Sequence, residues 1–213
     1  MTGKVASKQD QRRRAIVETA RSEFMRRGYA ATTMSSIAAI LGGSKTTLWS
    51  HFRSKDELFA AVIDDLIDRF GEALRLALEP EMDVRIGLKL FGETLIHSIC
   101  RPEIMALHRM VIAEAGRSSR LGKMVWERGP TLGMKMLAGW LSCQIERGFL
   151  RPCDPESAAR LFAGLCQAGS YWPHLMGAIP RPSRAQISAE IALAVETFLV
   201  GHEQCASRAR DGG

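Results

Sequence analysis

The chain has 213 residues, 46% of them hydrophobic, and its 29 Lys and Arg outnumber 23 Asp and Glu to give a net charge of +6. This is enough for one small and one medium domain with a buried core, and the lack of eighteen consecutive apolar residues excludes a membrane-spanning helix. The N-terminus has no apolar signal segment, and the five cysteines form no CxxC pair. We therefore expect a cytoplasmic protein with reduced thiols.

The positive charge is concentrated at the N-terminal end of the chain. Residues 1–55 carry eleven Lys and Arg against three Asp and Glu, so that the remaining residues sum to −2. A basic end on a nearly neutral body is typical of one nucleic-acid-binding face. Residues 1–8 are interpreted either as a flexible basic arm that extends the phosphate contacts or as a frayed terminus.

Two short amphipathic helices separated by a glycine turn are predicted between Thr33 and Phe52. Thr33 is a suitable N-cap for the first helix, Gly42-Gly43 ends it, and Ser44 caps the second. Leu48 and Phe52, four residues apart, give the second helix an inward face. The outer face carries short polar residues, namely Lys45, Thr46, Thr47 and Ser50. Such an arrangement is what a recognition helix in the major groove of DNA needs.

Helices are also predicted for the rest of the chain. A capping box at Ser54–Glu57 begins a long apolar helix that Pro80 ends. The N–H groups at its start, with Lys55, are suited to clamp a phosphate. The further predicted helices begin at Asp83, near Ile104, near Arg120 with an interruption at Gly129-Pro130, at Asp154-Pro155, and near Ser183, the last ending at about His202.

A longer pattern surrounds the helix-turn-helix. It comprises AIVETA at 15–20, Phe24, Gly28-Tyr29, TTM at 32–34, Ile37-Ala38, GSK at 43–45, TLW at 47–49, His51-Phe52 and KDEL at 55–58. This pattern resembles the DNA-binding domain of the TetR family of bacterial repressors, and the C-terminal half resembles the AefR-like branch. The resemblance implies an all-α homodimer. Residues 1–54 would form a three-helix helix-turn-helix DNA-binding domain, and residues 55–213 a helical ligand-binding and dimerisation domain.

The turn and the recognition helix depart from the family pattern. Leu41-Gly42-Gly43 stands where alanine or glycine, glycine and valine are usual, and Thr46 and Trp49 stand in place of a small residue and tyrosine. The operator sequence therefore does not follow from the resemblance. For base contacts we predict Lys45, Thr46 and Thr47. For the phosphate backbone we predict Thr33, Trp49, His51 and Lys55, with Ser50 also on the outer face.

The last two long helices carry apolar stripes. Taken alone, the stripes favour packing inside one subunit, but TetR-like proteins dimerise through their last two helices, so the resemblance favours an interface. The predicted interface residues are Leu161, Phe162, Leu165, Gly169, Ile187, Ile191, Val195 and Phe198.

Residues 91–172 are rich in Met and Trp, which suits an adaptable apolar pocket for a small-molecule effector. The predicted pocket residues are Met105, Met110, Trp126, Met134, Trp140 and Trp172. We therefore expect a ligand-responsive repressor that binds a palindromic double-stranded DNA operator as a homodimer and needs no cofactor. The alternatives are a constitutive DNA-binding dimer without effector and a thiol-based redox sensor. Catalytic and metal-binding motifs, among them GxSxG, HExxH, GxGxxG and the P-loop, are absent, so an enzyme is not expected.

Overall fold

The computed structural model describes residues 7–42, 45–76, 78–117 and 119–202, and these form eleven helices and no β-strand. In chain order they are α1 (Lys8–Arg27), α2 (Met34–Ile40), α3 (Lys45–His51), α4 (Lys55–Leu76), α5 (Val84–Ile99), α6 (Pro102–Ala115), α7 (Ser119–Arg128), α8 (Pro130–Glu146), α9 (Pro155–Gln167), α10 (Tyr171–Leu175) and α11 (Arg184–His202). The all-α prediction is confirmed. Among the described helices, none is both long and apolar enough to cross a bilayer.

Local capping signals place most helix starts where the sequence predicts them. The Asp83 carboxylate accepts a hydrogen bond from the N–H of Ile86 at 3.1 Å, and Asp154 accepts one from Ser157 at 2.9 Å with Pro155 in the first helical position. The predicted segment from Arg120 to Gly148 forms two helices, α7 and α8, because Pro130 lacks the N–H that would continue the first. The five-residue α10 was not predicted, since so short a helix has no readable period.

The chain divides into two compact units. The first contains residues 1–69 and 103–129, and the second contains residues 70–102 and 130–213. This division does not coincide with the predicted boundary after residue 54, because α6, α7 and the first part of α4 group with α1–α3. Ion pairs join α7 to α4 within the first unit: Arg120 lies 2.6 Å from Asp56, and Arg128 lies 3.0 Å from Asp64.

An aromatic cluster forms part of the core of the first unit. The Phe24 and Phe59 rings meet edge to face with centroids 5.1 Å apart, and Tyr29 stacks on Phe24 at 5.7 Å. Leu48 of α3 and Phe52, which directly follows this helix, are buried, as predicted. Edge-to-face contacts of this kind add to the free energy that the buried area alone provides. The cluster therefore anchors the inward faces of α1 and α4.

The core of the second unit corrects the predicted dimer interface. Five of the eight residues assigned to that interface are at most 2% exposed within one chain, so they pack inside the subunit; these are Phe162, Ile187, Ile191, Val195 and Phe198. The Phe162 and Phe198 rings, for example, meet edge to face at 5.2 Å. Of the remaining three, Leu165 and Gly169 are partly exposed and Leu161 is 51% exposed.

Gly87 of α5 makes room for the indole of Trp140. A Cβ atom at Gly87 would lie 2.5 Å from the Trp140 ring, whose N–H donates to the carbonyl oxygen of Glu79 at 2.9 Å. We expect Gly87→Ala to lower the free energy of unfolding by about 1–3 kcal/mol, because the held indole has to move. Gly139→Ala is the control, since a Cβ there meets open space on α8. It should raise stability by about 0.5–1 kcal/mol. Urea denaturation measures both, and equal shifts would contradict this account.

Candidate nucleic-acid interface

The first half of α1 presents exposed positive charge. Ser7 caps the helix, since its hydroxyl oxygen accepts from the N–H of Asp10 at 3.1 Å. The exposed basic residues that follow are Lys8, Arg12, Arg13 and Arg14. The predicted arm thus gives way to ordered helix at Lys8, while residues 1–6 lie outside the described part of the chain. Side chains on such a helix are able to reach the phosphate backbone.

The predicted N-cap of α2 is confirmed. The Thr33 hydroxyl oxygen accepts from the N–H of Ser36 at 3.0 Å, and the Ser36 hydroxyl oxygen accepts from the N–H of Thr33 at 3.1 Å. Gly42 ends the helix region with φ +60°, which glycine adopts without steric cost. Gly43 and Ser44, the other predicted turn and cap residues, lie outside the described residues.

Helix α3 has one buried side and one exposed side. Leu48 and Phe52 are each 1% exposed, and the Arg13 guanidinium lies 5.0 Å from the centre of the Phe52 ring. On the other side, Thr46, Trp49 and Ser50 are exposed, and Trp49 retains 47% of its accessible surface. These three residues share one face because they are three and four apart.

The remaining predicted DNA contacts are less exposed or already bonded. Thr47 and His51 are partly buried, and the Ser50 hydroxyl donates to the carbonyl oxygen of Thr47 at 2.8 Å. Lys45 begins α3, but its side chain lies outside the described part of the structure. The exposed side of α3 is therefore centred on Thr46, predicted for base contact, and Trp49, predicted for the phosphate backbone.

Lys55 occupies a different position from the one predicted. Its ammonium donates to the carbonyl oxygens of Tyr29 at 2.9 Å and Thr32 at 3.0 Å, and it lies 4.2 Å from the centre of the Tyr29 ring. An ammonium has three donors, so one is left for a phosphate. The predicted capping box also differs in one bond. The Ser54 hydroxyl oxygen accepts from the N–H of Glu57 as expected, but the Glu57 carboxylate accepts from the backbone N–H of Arg53.

These contacts lead to a stability prediction for Lys55. Lys55→Ala should lower the free energy of unfolding by about 1–3 kcal/mol, because two hydrogen bonds from a charged donor are lost. Arg53→Ala removes a neighbouring exposed cation and should change stability by less than about 0.5 kcal/mol. Chemical denaturation of both variants provides the comparison. An unchanged stability in Lys55→Ala would instead support the simple phosphate clamp.

The six predicted pocket residues do not share one environment. Met105, Met110 and Trp140 are buried, Met134 is partly buried, and Trp126 and Trp172 are 58% and 49% exposed. The first unit contains Met105, Met110 and Trp126, and the second contains the other three. A groove of about 590 Å³ lies between α1 and α4, but none of the six lines it. An apolar effector site among residues 91–172 thus stays a prediction.

His108 of α6 provides a test of pH dependence. Burial lowers the pKa of His108 from 6.5 to about 4. The unfolded chain therefore binds a proton below about pH 6.5 that the folded chain takes up only near pH 4, so stability falls as the pH falls through this window. We expect His108→Gln to reduce the decrease in the free energy of unfolding between pH 7 and 4 by about 1–3 kcal/mol. Denaturation curves between pH 7 and 4 measure it, and an unchanged pH slope would contradict it.

The two buried cysteines have the character of core residues. Burial raises the pKa of Cys166 to about 12 and that of Cys100 above its ordinary value. Because the thiolate is the reactive form, these thiols are suited to packing. Cys143 is exposed and Cys153 partly exposed, while Cys205 lies outside the described residues. Within the described part, no three His, Cys, Asp or Glu side chains are grouped as metal ligands.

A short helix anchored on one side, exposed on the other and preceded by a glycine turn defines a helix-turn-helix DNA-binding protein. Comparison with known proteins agrees. Residues 16–62 match the model of bacterial regulatory proteins of the tetR family, and residues 87–202 match the C-terminal domain of AefR-like transcriptional repressors. The chain belongs to the TetR family of transcriptional regulators.

Individual relatives share both sequence and fold with the chain. The HTH-type regulator RutR of Escherichia coli is 29% identical over 166 residues, which cover 73% of this chain and 72% of RutR. A TetR-family regulator from Mesorhizobium loti superposes with a TM-score of 0.80 at 26% identity, covering 93% of this chain and all of that one. The flavonoid-responsive regulator FrrA superposes with a TM-score of 0.82 at 26% identity, covering 92% and 99%.

Two features of the structure were missed by sequence reasoning. One is the apolar outer face of α11, where Leu193 is 69% and Val200 is 88% exposed. The signal for it was present, since Leu193 and Val200 are seven residues apart and therefore lie on one side of α11. The other is the bonding of Tyr29, Asp56 and Arg120, which no local pattern indicates.

Proposed function

We propose that this protein is a dimeric repressor that binds a palindromic operator and is released by a small, mostly apolar effector. The observation that carries the DNA-binding part is the α3 surface of Thr46 and Trp49, exposed over a buried anchor of Leu48 and Phe52. The exposed basic residues of α1 support it, because phosphate contacts orient a protein on DNA while base contacts give specificity.

The outer faces of α9 and α11 support dimerisation. Leu161 of α9 and Leu193 and Val200 of α11 expose 51%, 69% and 88% of their surface. Gly164 of α9 and Ala168, the C-cap of that helix, are small exposed residues. Leu193 and Val200, seven residues apart, lie on one side of α11, and large apolar residues exposed together on a helix favour coverage by a partner. A second copy of the chain placed on these faces would cover them, so we assign the interface to this outer surface in place of the buried stripes.

The effector is proposed by analogy and composition. FrrA is a flavonoid-responsive regulator with the same fold, and the Met and Trp content of residues 91–172 suits flat apolar molecules. The rival hypothesis of a thiol-based sensor finds less support, because Cys100 and Cys166 are buried with raised pKa values. A constitutive DNA-binding dimer is distinguished from an effector-responsive repressor by the ligand titration with and without operator DNA.

Selection of bound duplexes from a random pool, followed by footprinting, tests the DNA-binding proposal. We expect an inverted repeat whose half-sites are spaced about 34–40 Å apart, roughly one helical turn or slightly more. A footprint on one asymmetric half-site with a single bound subunit would contradict it.

For the effector, a flavonoid panel is titrated with and without the selected duplex. Coupling is reciprocal, so each ligand should weaken the other by the same factor, about 5- to 150-fold. Identical flavonoid affinities would support the constitutive dimer.

A further inference from the structure

The connection between α1 and α2 is held by residues from two other helices. Tyr29 lies in this connection, and its phenol donates a hydrogen bond to the carboxylate of Asp56 in the first turn of α4. The same carboxylate pairs with Arg120 of α7 at 2.6 Å. Lys55, the neighbour of Asp56, binds the carbonyl oxygens at both ends of the connection, Tyr29 and Thr32. The connection is therefore fixed by α4, and α4 in turn by α7.

The geometry of Tyr29 makes this a defined contact. Its ring packs against both Phe24 and Phe59, with centroids 5.7 Å and 5.1 Å away. Burial, followed by the bond to Asp56, raises the pKa of Tyr29 above its ordinary value, so the phenol stays a neutral donor at physiological pH. The packing of the ring holds the phenol oxygen beside the Asp56 carboxylate.

The connection determines where α2 begins. The Thr32 side chain is fully buried, and its hydroxyl donates to the carbonyl oxygen of Gly28 at 2.8 Å. Thr33, the next residue, is the N-cap of α2. A shift of residues 29–32 would therefore move the cap of α2, and with it the helix that carries the turn into α3.

We propose that Arg120 is a positioning residue for the helix-turn-helix, acting through Asp56 and Tyr29. It lies on α7, outside the predicted DNA-binding domain. Its charge holds the Asp56 carboxylate in place for the Tyr29 phenol, which keeps the α1–α2 connection in its folded conformation. Only the DNA-binding arm of the test below rests on the proposed function.

The structure supplies a matched control. Arg128 also extends from α7 to a carboxylate of α4, and its 3.0 Å pair with Asp64 resembles the pair of Arg120 with Asp56. Asp56 is bonded to Tyr29 of the α1–α2 connection, whereas Asp64 lies eight residues further along α4, about two helical turns away from Asp56. Arg120→Gln and Arg128→Gln thus remove similar ion pairs and differ in what lies beyond them.

Hydrogen exchange of the full chain, followed by mass spectrometry, tests the inference without DNA. We expect Arg120→Gln to speed exchange of the α2 amides about two- to fivefold, the size that an exposed ion pair allows. Arg128→Gln should leave these amides unchanged, and Arg120→Lys should restore slow exchange because it keeps the charge. In a Tyr29→Phe background, Arg120→Gln should have no further effect on α2. A pair that interacts only through Tyr29 is non-additive in this way.

Three outcomes would overturn the inference: equal acceleration by both Gln variants, no rescue by lysine, or an undiminished effect of Arg120→Gln in the Tyr29→Phe chain. A second arm measures binding to the duplex selected from the random pool. In this arm, Arg120→Gln should weaken DNA binding about two- to fivefold for each helix-turn-helix domain of the dimer, and Arg128→Gln should leave it unchanged. If the wild-type chain selects no duplex, the proposed function fails while the exchange result still decides the role of Arg120.

Discussion

Replacing Thr46 and Trp49 together with alanine is expected to abolish most specific DNA binding while the fold persists. Both side chains lie on the exposed face of α3, and Trp49 retains 47% of its accessible surface, so their removal leaves no buried cavity. We expect each subunit to lose about 1–2 kcal/mol of binding free energy. For a dimer bound through both subunits, this weakens the affinity about 30- to 1,000-fold. Fluorescence anisotropy with the selected duplex measures the affinity.

The control for this prediction is Trp126→Ala on α7. Trp126 is also a half-exposed tryptophan, with 58% of its surface accessible. Its removal should leave DNA affinity unchanged within about twofold, because it lies outside the helix-turn-helix. Comparable losses from both changes would mean that α3 is not the reading helix. Thr46→Ala alone should also shift which base pairs the protein prefers in the random-pool selection.

Leu193→Glu is expected to convert the dimer to monomers. Leu193 lies 69% exposed on the apolar outer face of α11, so a charge there costs little in one chain. In the proposed dimer the carboxylate would be buried without a partner, at a cost on the order of 3 kcal/mol or more, about 100-fold or more in the dissociation constant. Sedimentation velocity measures the oligomeric state.

Ile112→Glu is the matched control for dimerisation. Ile112 is 58% exposed on α6, on an element to which we assign no interface. This variant should remain dimeric and keep its affinity for the selected duplex, while Leu193→Glu loses both. A Leu193→Glu chain that still sediments as a dimer would remove the α11 face from the interface. Dimerisation would then have to use another surface.

Local sequence signals predicted the helices well because each signal acts within a few residues. Thr33, Asp83 and Asp154 cap the N–H groups three residues ahead of them, which needs no knowledge of the rest of the fold. The inward placement of Leu48 and Phe52 follows from their spacing of four on a helix. The pattern across residues 15–58 was also sufficient to indicate the family, which the comparisons then showed.

Contacts between distant residues were beyond the same reasoning. Lys55 was predicted to contact a phosphate because it lies at a helix start, where backbone N–H groups attract anions. In the folded chain its ammonium meets carbonyl oxygens 26 and 23 residues away, which compete with solvent and DNA for its donors. The predicted pocket residues were chosen in a similar way, from composition, and stay a prediction. Composition indicates which residues favour burial, but not which of them face one another.

The sequence by itself determined the helical class, the helix-turn-helix and the family, because caps, glycine turns and 3.6-residue periodicity are local. Only the tertiary structure decided whether the apolar stripe of α11 packs inside one subunit or forms an interface, because the sequence allowed both. Ile187, Ile191 and Phe198 on one side and Leu193 and Val200 on the other are all apolar. Apolar character alone does not say which of these residues pack within the chain. Contacts of α11 with α5 and α9 bury the first set and leave Leu193 and Val200 exposed beside Glu196 and Thr197. The grouping of α6 and α7 with the DNA-binding helices was decided in the same way, by contacts that form only once the chain has folded.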